Sequence, residues 1–306
     1  MSSLFAFPGQ GAQQVGMLHR LPADCAPLLA EASEVLGEDV LALDSAAALQ
    51  STRAVQLCLL IAGVGCARLL MARGPAPDYV AGLSIGAYAA AVVAGSLDFA
   101  DALRLVALRG ELMQRAYPQG FGMTAILGLD QGTVERLLAE AEGPVYLANI
   151  NADNQLVIAG SDAAMTLVAE RARALGAGAA KRLAMSVPSH CALLEAPARE
   201  LAAAFAEVEL RRPVIRYLSG SSARPIFDPE RLRDDLAFNM CRVIDWHGTL
   251  RTAYERGVRL HIELPPGAVL SGLARRMFEQ GTVIAFQGAR LDTLDALLRQ
   301  EVGQDR

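Results

Sequence analysis

Short apolar runs alternate with longer helical stretches along the first third of the chain. Residues 4–7 and 79–81 are apolar throughout and predict buried strands. Residues 52–72, 85–94 and 98–117 have the length and composition of helices, and Gly74-Pro75 follows the first of them. Strands buried on both faces and separated by helices are typical of a parallel sheet covered by helices. We therefore predict an α/β fold.

The pattern changes after residue 121. Strands are predicted at 123–129, 145–148, 155–159 and 181–187, and helices at 133–142 and 161–175. Ser161 is suited to be the N-cap of the second helix. The order βαββαβ is that of a ferredoxin-like unit. We predict an inserted subdomain of residues 122–187 within a catalytic domain formed by residues 1–121 and 188–306.

The last third returns to α/β character. Residues 195–208 predict a helix, and residues 215–219 and 260–264 predict strands. Pro265-Pro266-Gly267 then leads into a helix that begins near Val269. This stretch therefore belongs with the predicted catalytic domain.

Composition and charge limit the function classes. Of the 306 residues, 53% are hydrophobic and 20% are charged, which is ample for a buried core. The net charge of −5 argues against nucleic acid as a partner, because phosphates attract clustered Lys and Arg. A local basic patch could still dock an acidic carrier protein.

Cysteine usage and the N-terminus indicate a cytoplasmic protein. The five cysteines are odd in number and form no C-x-x-C pair, which argues against a disulfide framework or a zinc site. The first eight residues lack the basic region of a signal peptide. Residues 79–97 carry no charge, but their glycines and serines favour a strand, a turn and a buried helix over a membrane span.

One motif carries the chemistry of a nucleophile. Gly82-Leu83-Ser84-Ile85-Gly86 is a G-x-S-x-G sequence, with a predicted strand before it and a predicted helix after it. At such a turn the serine hydroxyl is presented openly, and the amide of Ile85 lies at a helix N-terminus, where developing negative charge is stabilised. A glycine-rich turn that only packs a helix on a sheet is the alternative.

A nucleophilic serine needs a base, and four histidines are available. His261 lies within an apolar strand pattern, where packing is its expected role, and His247 follows Trp246 at a predicted helix start and could cap it. His19 lies in an N-terminal helix or loop. His190 lies in the boundary loop at the end of the inserted unit, a usual place for catalytic groups. The position favours His190 but leaves the other three open.

Taken together, the motifs resemble those of malonyl-CoA:acyl-carrier-protein transacylases, in the same order and over about residues 4–290. The segments that carry the resemblance are Phe7-Pro8-Gly9-Gln10-Gly11, the serine turn, Arg109-Gly110-Glu111-Leu112-Met113, residues 149–160, Val187-Pro188-Ser189-His190-Cys191, and Glu263-Leu264-Pro265-Pro266-Gly267 before Val269-Leu270-Ser271-Gly272-Leu273. The resemblance implies an α/β-hydrolase-like core with a ferredoxin-like insert.

The resemblance also implies a role for each matching position. Ser84 would be the nucleophile, and His190 its base. The backbone amides of Gln10 and Ile85 would form the oxyanion hole, and Arg109 would bind the malonyl carboxylate. A position that is often Gln in the family, and that orients the histidine and the acyl pocket, falls on Asn239. Arg suits the carboxylate because its planar guanidinium forms two parallel hydrogen bonds.

The serine turn departs from the family pattern on both sides of the nucleophile. The family usually has Gly-His-Ser-Leu-Gly-Glu, whereas this chain has Leu83 before the serine and Ala87 after Gly86. The turn resembles that of the epsilon subunit of biotin-independent malonate decarboxylase. We therefore expect a transacylase of that pathway first, and a loading enzyme of fatty-acid or polyketide synthesis as the alternative.

The resemblance implies malonyl-CoA as the substrate and a phosphopantetheine-type thiol on a carrier protein as the acceptor. No metal and no permanently bound cofactor are called for. Two other classes stay open: a serine hydrolase of the same fold, and a non-catalytic scaffold that only docks a carrier. Arg109 argues against a plain esterase, whereas the apolar Leu83 and Ala87 are the best support for a scaffold.

Overall fold

Two β-sheets carry the fold, and the computed structural model describes them within residues 2–117 and 119–303. The strands are β1 (Ser2–Phe7), β2 (Tyr79–Gly82), β3 (Phe121–Leu127), β4 (Val145–Ala152), β5 (Gln155–Ser161), β6 (Ala179–Arg182), β7 (Arg216–Leu218), β8 (Pro225–Ile226), β9 (Ile244–Asp245), β10 (Val258–Glu263) and β11 (Thr282–Ala285). The helices are α1 (Ala26–Leu36), α2 (Thr52–Arg73), α3 (Gly86–Val93), α4 (Phe99–Ala116), α5 (Gln131–Ala139), α6 (Asp162–Ala174), α7 (Glu195–Ala204), α8 (Pro229–Phe238), α9 (Trp246–Glu255), α10 (Val269–Met277) and α11 (Leu291–Gly303).

The larger sheet has the strand order β11-β10-β1-β2-β7-β8. Its neighbouring strands are parallel, except that β8 pairs antiparallel with β7. Successive side chains alternate between its faces: Phe5 and Val80 pack in the cluster that includes α2 and α3, while Leu4 and Ala81 pack in the cluster that includes α9 and α10. Both faces are therefore covered, and the predicted α/β class with a parallel sheet is confirmed.

The smaller sheet has the strand order β6-β3-β5-β4-β9. The first four strands pair antiparallel, and α5 and α6 pack against them, so the predicted βαββαβ order is present. The short strand β9 comes from much later in the chain and pairs parallel with β4, an addition that the sequence pattern did not reveal. The first strand starts at Phe121, and the predicted domain boundaries stay a prediction.

Several predicted elements differ from the structure at their ends, as β6 and α7 illustrate. The strand predicted over residues 181–187 ends at Arg182, because the chain turns there and the Met185 amide donates to the Leu183 carbonyl at 2.8 Å. The helix predicted over residues 195–208 ends at Ala204 and continues as a 3-10 turn. Ser161 is confirmed as the N-cap of α6, because its hydroxyl accepts from the Ala164 amide at 3.3 Å.

The long apolar stretches are interior elements. Residues 79–97 form β2, a tight turn and the buried helix α3, as predicted. Among the described helices, α2 has the length and apolarity to cross a membrane. However, 89% of its most apolar window is buried inside the protein, where it packs against α3 and α4. A core helix explains it fully.

Candidate active site

Ser84 stands on a tight turn between β2 and α3. Its φ of 57° lies in the left-handed region, which a residue with a β-carbon adopts only at an energetic cost. The two flanking glycines make the turn possible. A β-carbon on Gly82 would lie 2.0 Å from the Gly86 carbonyl carbon, and one on Gly86 would lie 2.2 Å from the Phe7 oxygen. The strand and helix around the motif are therefore as the sequence predicts.

A second glycine loop brings the end of β1 against this turn. A β-carbon on Gly9 would lie 2.7 Å from the Leu83 side chain, and Gly11 has a φ of 110° that favours glycine. Gln10 lies between them and lines the same cavity as Ser84. Among the described residues, no group accepts a hydrogen bond from the backbone amides of Gln10 and Ile85. Both amides therefore have a donor left for a ligand.

Ser84 and His190 line one cavity of about 250 Å³. Its walls are largely apolar and include Met113 from α4, Met123 from β3 and Leu273 from α10. The cavity thus lies between the larger sheet and the smaller one. Residues 106 positions apart in sequence thus line one cavity, and their roles as nucleophile and base stay a prediction.

The imidazole of His190 is fixed and uncharged. Its Nδ1 donates to the Asn239 carbonyl at 2.7 Å, so the other ring nitrogen, Nε2, is the one able to accept a proton. The pKa of His190 is lowered to about 4, mainly by burial and to a smaller extent by the positive charge of Arg109. Like the serine, His190 has a positive φ, 64°, and its amide donates to the Met240 carbonyl at 2.7 Å. A backbone carbonyl therefore orients the ring.

The other three histidines lie away from the cavity. His19 contacts Asp44 at 3.0 Å, and His247 contacts Asp153 at 2.9 Å. His247 does not cap its helix as the sequence suggested, because Asp245 accepts from the first-turn amide of Gly248. His261 is buried in β10, as its apolar surroundings predicted. Only His190 of the four lines the cavity.

Arg109 projects from α4 and is buried completely; it does not itself line the cavity, but it contacts Ser84 and Gln56, which do. One guanidinium nitrogen, Nη1, donates to Gln56 Oε1 at 2.8 Å, and the other, Nη2, lies 3.3 Å from Ser84 Oγ. Burial lowers the pKa of Arg109, yet guanidinium keeps its proton at neutral pH. Within the described part of the chain, no carboxylate pairs with it, and its Nε has no hydrogen-bond partner. A buried cation without a counter-ion is costly, so the site favours an anion.

Asn239 connects the three groups. Its side-chain oxygen accepts from Arg109 Nη2 at 3.0 Å, its side-chain nitrogen donates to the Ser84 carbonyl at 3.2 Å, and its own carbonyl accepts from His190. The residue follows α8 directly and is buried. The sequence pointed to this position only through the family resemblance.

Three polar residues of the site had no role assigned from the sequence. Gln56 is a buried polar residue within the apolar helix α2, which is a detectable sign of a special contact. Asn149 and Asn151 line the cavity from β4, and their side-chain oxygens are buried without a partner among the described residues. They are acceptors available to N–H groups of a ligand.

Within residues 2–117 and 119–303, no three His, Cys, Asp or Glu side chains form a cluster able to hold a metal ion. The elements of the site are a serine on a strand–turn–helix bend, a neutral histidine, two open amides and a buried arginine. With the α/β fold, they define the class of protein as an acyltransferase. The chain belongs to the acyl transferase domain family, whose model matches residues 4–301.

Individual relatives are similar over almost the whole chain. The malonyl CoA-acyl carrier protein transacylase of Escherichia coli (strain K12) is 38% identical over 292 residues, which cover 92% of this chain and 94% of that protein. The solved structure of the transacylase of that name from Coxiella burnetii has a TM-score of 0.93 at 32% identity, with 98% of each chain covered. A malonyl-transacylase solved in complex with a type II polyketide synthase acyl-carrier protein has a TM-score of 0.91 at 35% identity, covering 98% of this chain and 100% of that one.

Proposed function

We propose that the protein is a malonyl-CoA:acyl-carrier-protein transacylase that carries the malonyl group as an ester on Ser84. The observation that carries this proposal is the buried, unpaired guanidinium of Arg109, 3.3 Å from the serine oxygen. An acyl group on Ser84 that bears a free carboxylate would supply the missing counter-ion. An unsubstituted acyl group, such as acetyl, would leave the guanidinium unpaired.

In the first half-reaction, His190 Nε2 removes the proton of Ser84 as its oxygen attacks the thioester carbonyl. The amides of Gln10 and Ile85 donate to the oxyanion, a contribution of about 10²- to 10³-fold in rate for one such donor. The tetrahedral intermediate collapses, the carbon–sulfur bond breaks, and the proton on His190 passes to the departing thiolate of coenzyme A. The positive charge of Arg109 lowers the pKa of His190, and the malonyl carboxylate neutralises this charge when it pairs with Arg109. Bound substrate therefore raises the pKa of His190 and makes it a stronger base.

In the second half-reaction, the thiol of a phosphopantetheine arm enters from the carrier protein. His190 takes the thiol proton, sulfur attacks the ester carbonyl, and the proton returns to Ser84 as the ester bond breaks. A thioester replaces a thioester, so no external energy source or permanently bound cofactor is needed. The largely apolar cavity wall limits water, which would otherwise hydrolyse the ester.

The pathway follows the relatives. Those named above are acyl-carrier-protein transacylases, and one is solved with a polyketide synthase carrier. They favour fatty-acid or polyketide synthesis, the alternative of the sequence analysis, over the malonate decarboxylase pathway that the turn sequence suggested. Leu83 and Ala87 leave Ser84, His190 and Arg109 in place, so we interpret them as altered surroundings of the nucleophile rather than loss of it.

We also propose a cytoplasmic location, in keeping with five free cysteines. One experiment separates the proposed transfer from the activity of a serine hydrolase and from a scaffold without activity. Brief exposure to malonyl-CoA followed by mass spectrometry should give a malonyl adduct on Ser84, and added holo acyl-carrier protein should remove it as malonyl-carrier. Ser84→Ala is the control for the adduct. Absence of the adduct in the wild type would favour a scaffold, and faster release of malonate than of malonyl-carrier would favour a hydrolase.

A further inference from the structure

Arg182, the last residue of β6, binds an unusual number of backbone groups for a partly exposed side chain. Its Nη1 lies within hydrogen-bond distance of three carbonyl oxygens, those of Met123 at 3.1 Å, Leu183 at 3.1 Å and Met185 at 2.9 Å. Its Nη2 donates to the Phe121 carbonyl at 2.7 Å and to Asp162 Oδ1 at 2.9 Å. One guanidinium thus joins the start of β3, the start of α6 and the segment that follows β6.

A glycine provides the seat for this guanidinium. A β-carbon on Gly122 would lie 2.1 Å from Arg182 Nη2 and 2.4 Å from its Cζ. The guanidinium therefore lies directly on the backbone of β3, where any side chain at position 122 would displace it. Gly122 pairs with Gly160 in the sheet, and its φ is not in the left-handed region, so its backbone conformation does not require glycine.

The segment held in this way is a wall of the active-site cavity. Leu183 and Met185 both line the cavity, and the chain reaches His190 five residues after Met185. Few other backbone bonds hold it: the Leu183 amide donates to Met123, and the Met185 amide donates within the turn. Since β6 has already ended, the contacts of Arg182 supply much of what fixes the turn.

A role in which Arg182 only offers a positive charge to a docking partner explains these contacts less well. Its Nη1 and Nη2 already have acceptors in the protein, and Asp162 at 2.9 Å offsets its charge. The neighbouring Lys181 is also an exposed cation, and it makes none of these contacts. A comparison of variants at the two positions therefore separates the effect of losing a charge from the effect of losing hydrogen bonds.

We infer that Arg182 is a positioning residue that holds the 183–185 turn as a closed wall of the thioester cavity. This inference rests on the proposed function. When the contacts of Arg182 are lost, Leu183 and Met185 move, the pantetheine arm is oriented less well, and water reaches the malonyl-Ser84 ester. The effect should therefore fall on KM and on the ratio of hydrolysis to transfer, while formation of the ester on Ser84 persists.

The test compares three variants of the full chain with the wild type. Arg182→Met keeps the aliphatic stem but removes every hydrogen bond, and Gly122→Ala displaces the guanidinium while its charge remains. Lys181→Met, the matched control, removes an adjacent charge only. Malonyl-CoA and holo acyl-carrier protein are the substrates; KM, kcat, the malonate-to-malonyl-carrier ratio and the melting temperature are measured. Hydrogen exchange of residues 183–187 reports the turn directly.

We expect Arg182→Met and Gly122→Ala to raise KM for malonyl-CoA and the hydrolysis ratio by about tenfold each, with faster exchange at 183–187. Lys181→Met should stay within about twofold of the wild type. Equal effects of Arg182→Met and Lys181→Met, or a normal hydrolysis ratio in Arg182→Met, would overturn the inference. If Gly122→Ala fails to fold, the pair Arg182→Met and Lys181→Met decides alone. A wild type that forms no malonyl-Ser84 would instead refute the proposed function.

Discussion

Replacing Arg109 by Ala tests the feature on which substrate choice depends. The guanidinium is fully buried, and its hydrogen-bond partners are the neutral side chains of Gln56, Ser84 and Asn239. In the malonyl complex the substrate carboxylate would be its counter-ion. The substitution therefore leaves a carboxylate in a buried, largely apolar pocket without a charged partner.

The expected loss follows from the cost of breaking a buried ion pair, about 3–5 kcal/mol. At about 1.4 kcal/mol for each factor of ten, kcat/KM for malonyl-CoA should fall by about 100- to 4,000-fold. Acetyl-CoA has no carboxylate, so its slow transfer should change by less than about tenfold. The ratio of malonyl to acetyl transfer should then fall by at least about tenfold.

Parallel kinetics with malonyl-CoA and acetyl-CoA measure this ratio in one enzyme preparation. Arg115→Ala is the matched control, because Arg115 lies on the same helix and forms an exposed ion pair with Glu200. It should leave both rates unchanged, and thermal unfolding should verify that both variants fold. A malonyl-to-acetyl ratio that stays within about threefold of the wild type in Arg109→Ala would refute the assignment of Arg109 as the carboxylate site.

The other predictions concern charge, strain and pH. Asn239→Asp gives Arg109 an internal counter-ion, so KM for malonyl-CoA should rise at least about tenfold in steady-state kinetics; an unchanged KM would contradict this. Ser84→Gly relieves a φ of 57°, so in urea unfolding it should be about 1 kcal/mol more stable than Ser84→Ala, and equal stabilities would contradict the strain. Burial lowers the pKa of His261 from 6.5 to about 4. Between these two values the imidazole is protonated in the unfolded chain but neutral in the folded protein, which destabilises the fold. The free energy of unfolding of His261→Leu, relative to that of the wild type, should therefore increase by about 2 kcal/mol from pH 8 to pH 5, and a pH-independent difference would contradict this.

Much of the nucleophile turn could be predicted from the sequence because its causes are local. The apolar run before Gly82 and the Ala-rich stretch after Gly86 predicted the strand and the helix. Both glycines are required sterically, because a β-carbon at either position would clash with neighbouring backbone atoms. The N-cap at Ser161 is local in the same sense, since it depends on one hydroxyl and an amide three residues away.

The end of β6 shows where local pattern fails. Residues 181–187 were predicted as one strand, yet the strand stops at Arg182, because the chain turns there. The Met185 amide donates to the Leu183 carbonyl, and the guanidinium of Arg182 contacts the carbonyls of Met123 and Met185. The short strand β9 was missed for a related reason. Two residues have too little pattern of their own, and their pairing partner β4 lies about 95 positions earlier.

The sequence by itself determined the α/β class, the strand–turn–helix around Ser84 and the βαββαβ order, because each depends on the period and composition of neighbouring residues. The sequence favoured His190 as the base, and the tertiary structure added that His190 lines the same cavity as Ser84, whereas the other three histidines do not. It also showed that a backbone carbonyl of Asn239 orients the imidazole and that Arg109 is buried without a counter-ion among the described residues. Contacts between residues more than 25 positions apart depend on how sheets and helices pack. Burial is likewise a property of the packed molecule, because the same arginine on an exposed helix face would be an ordinary solvated charge.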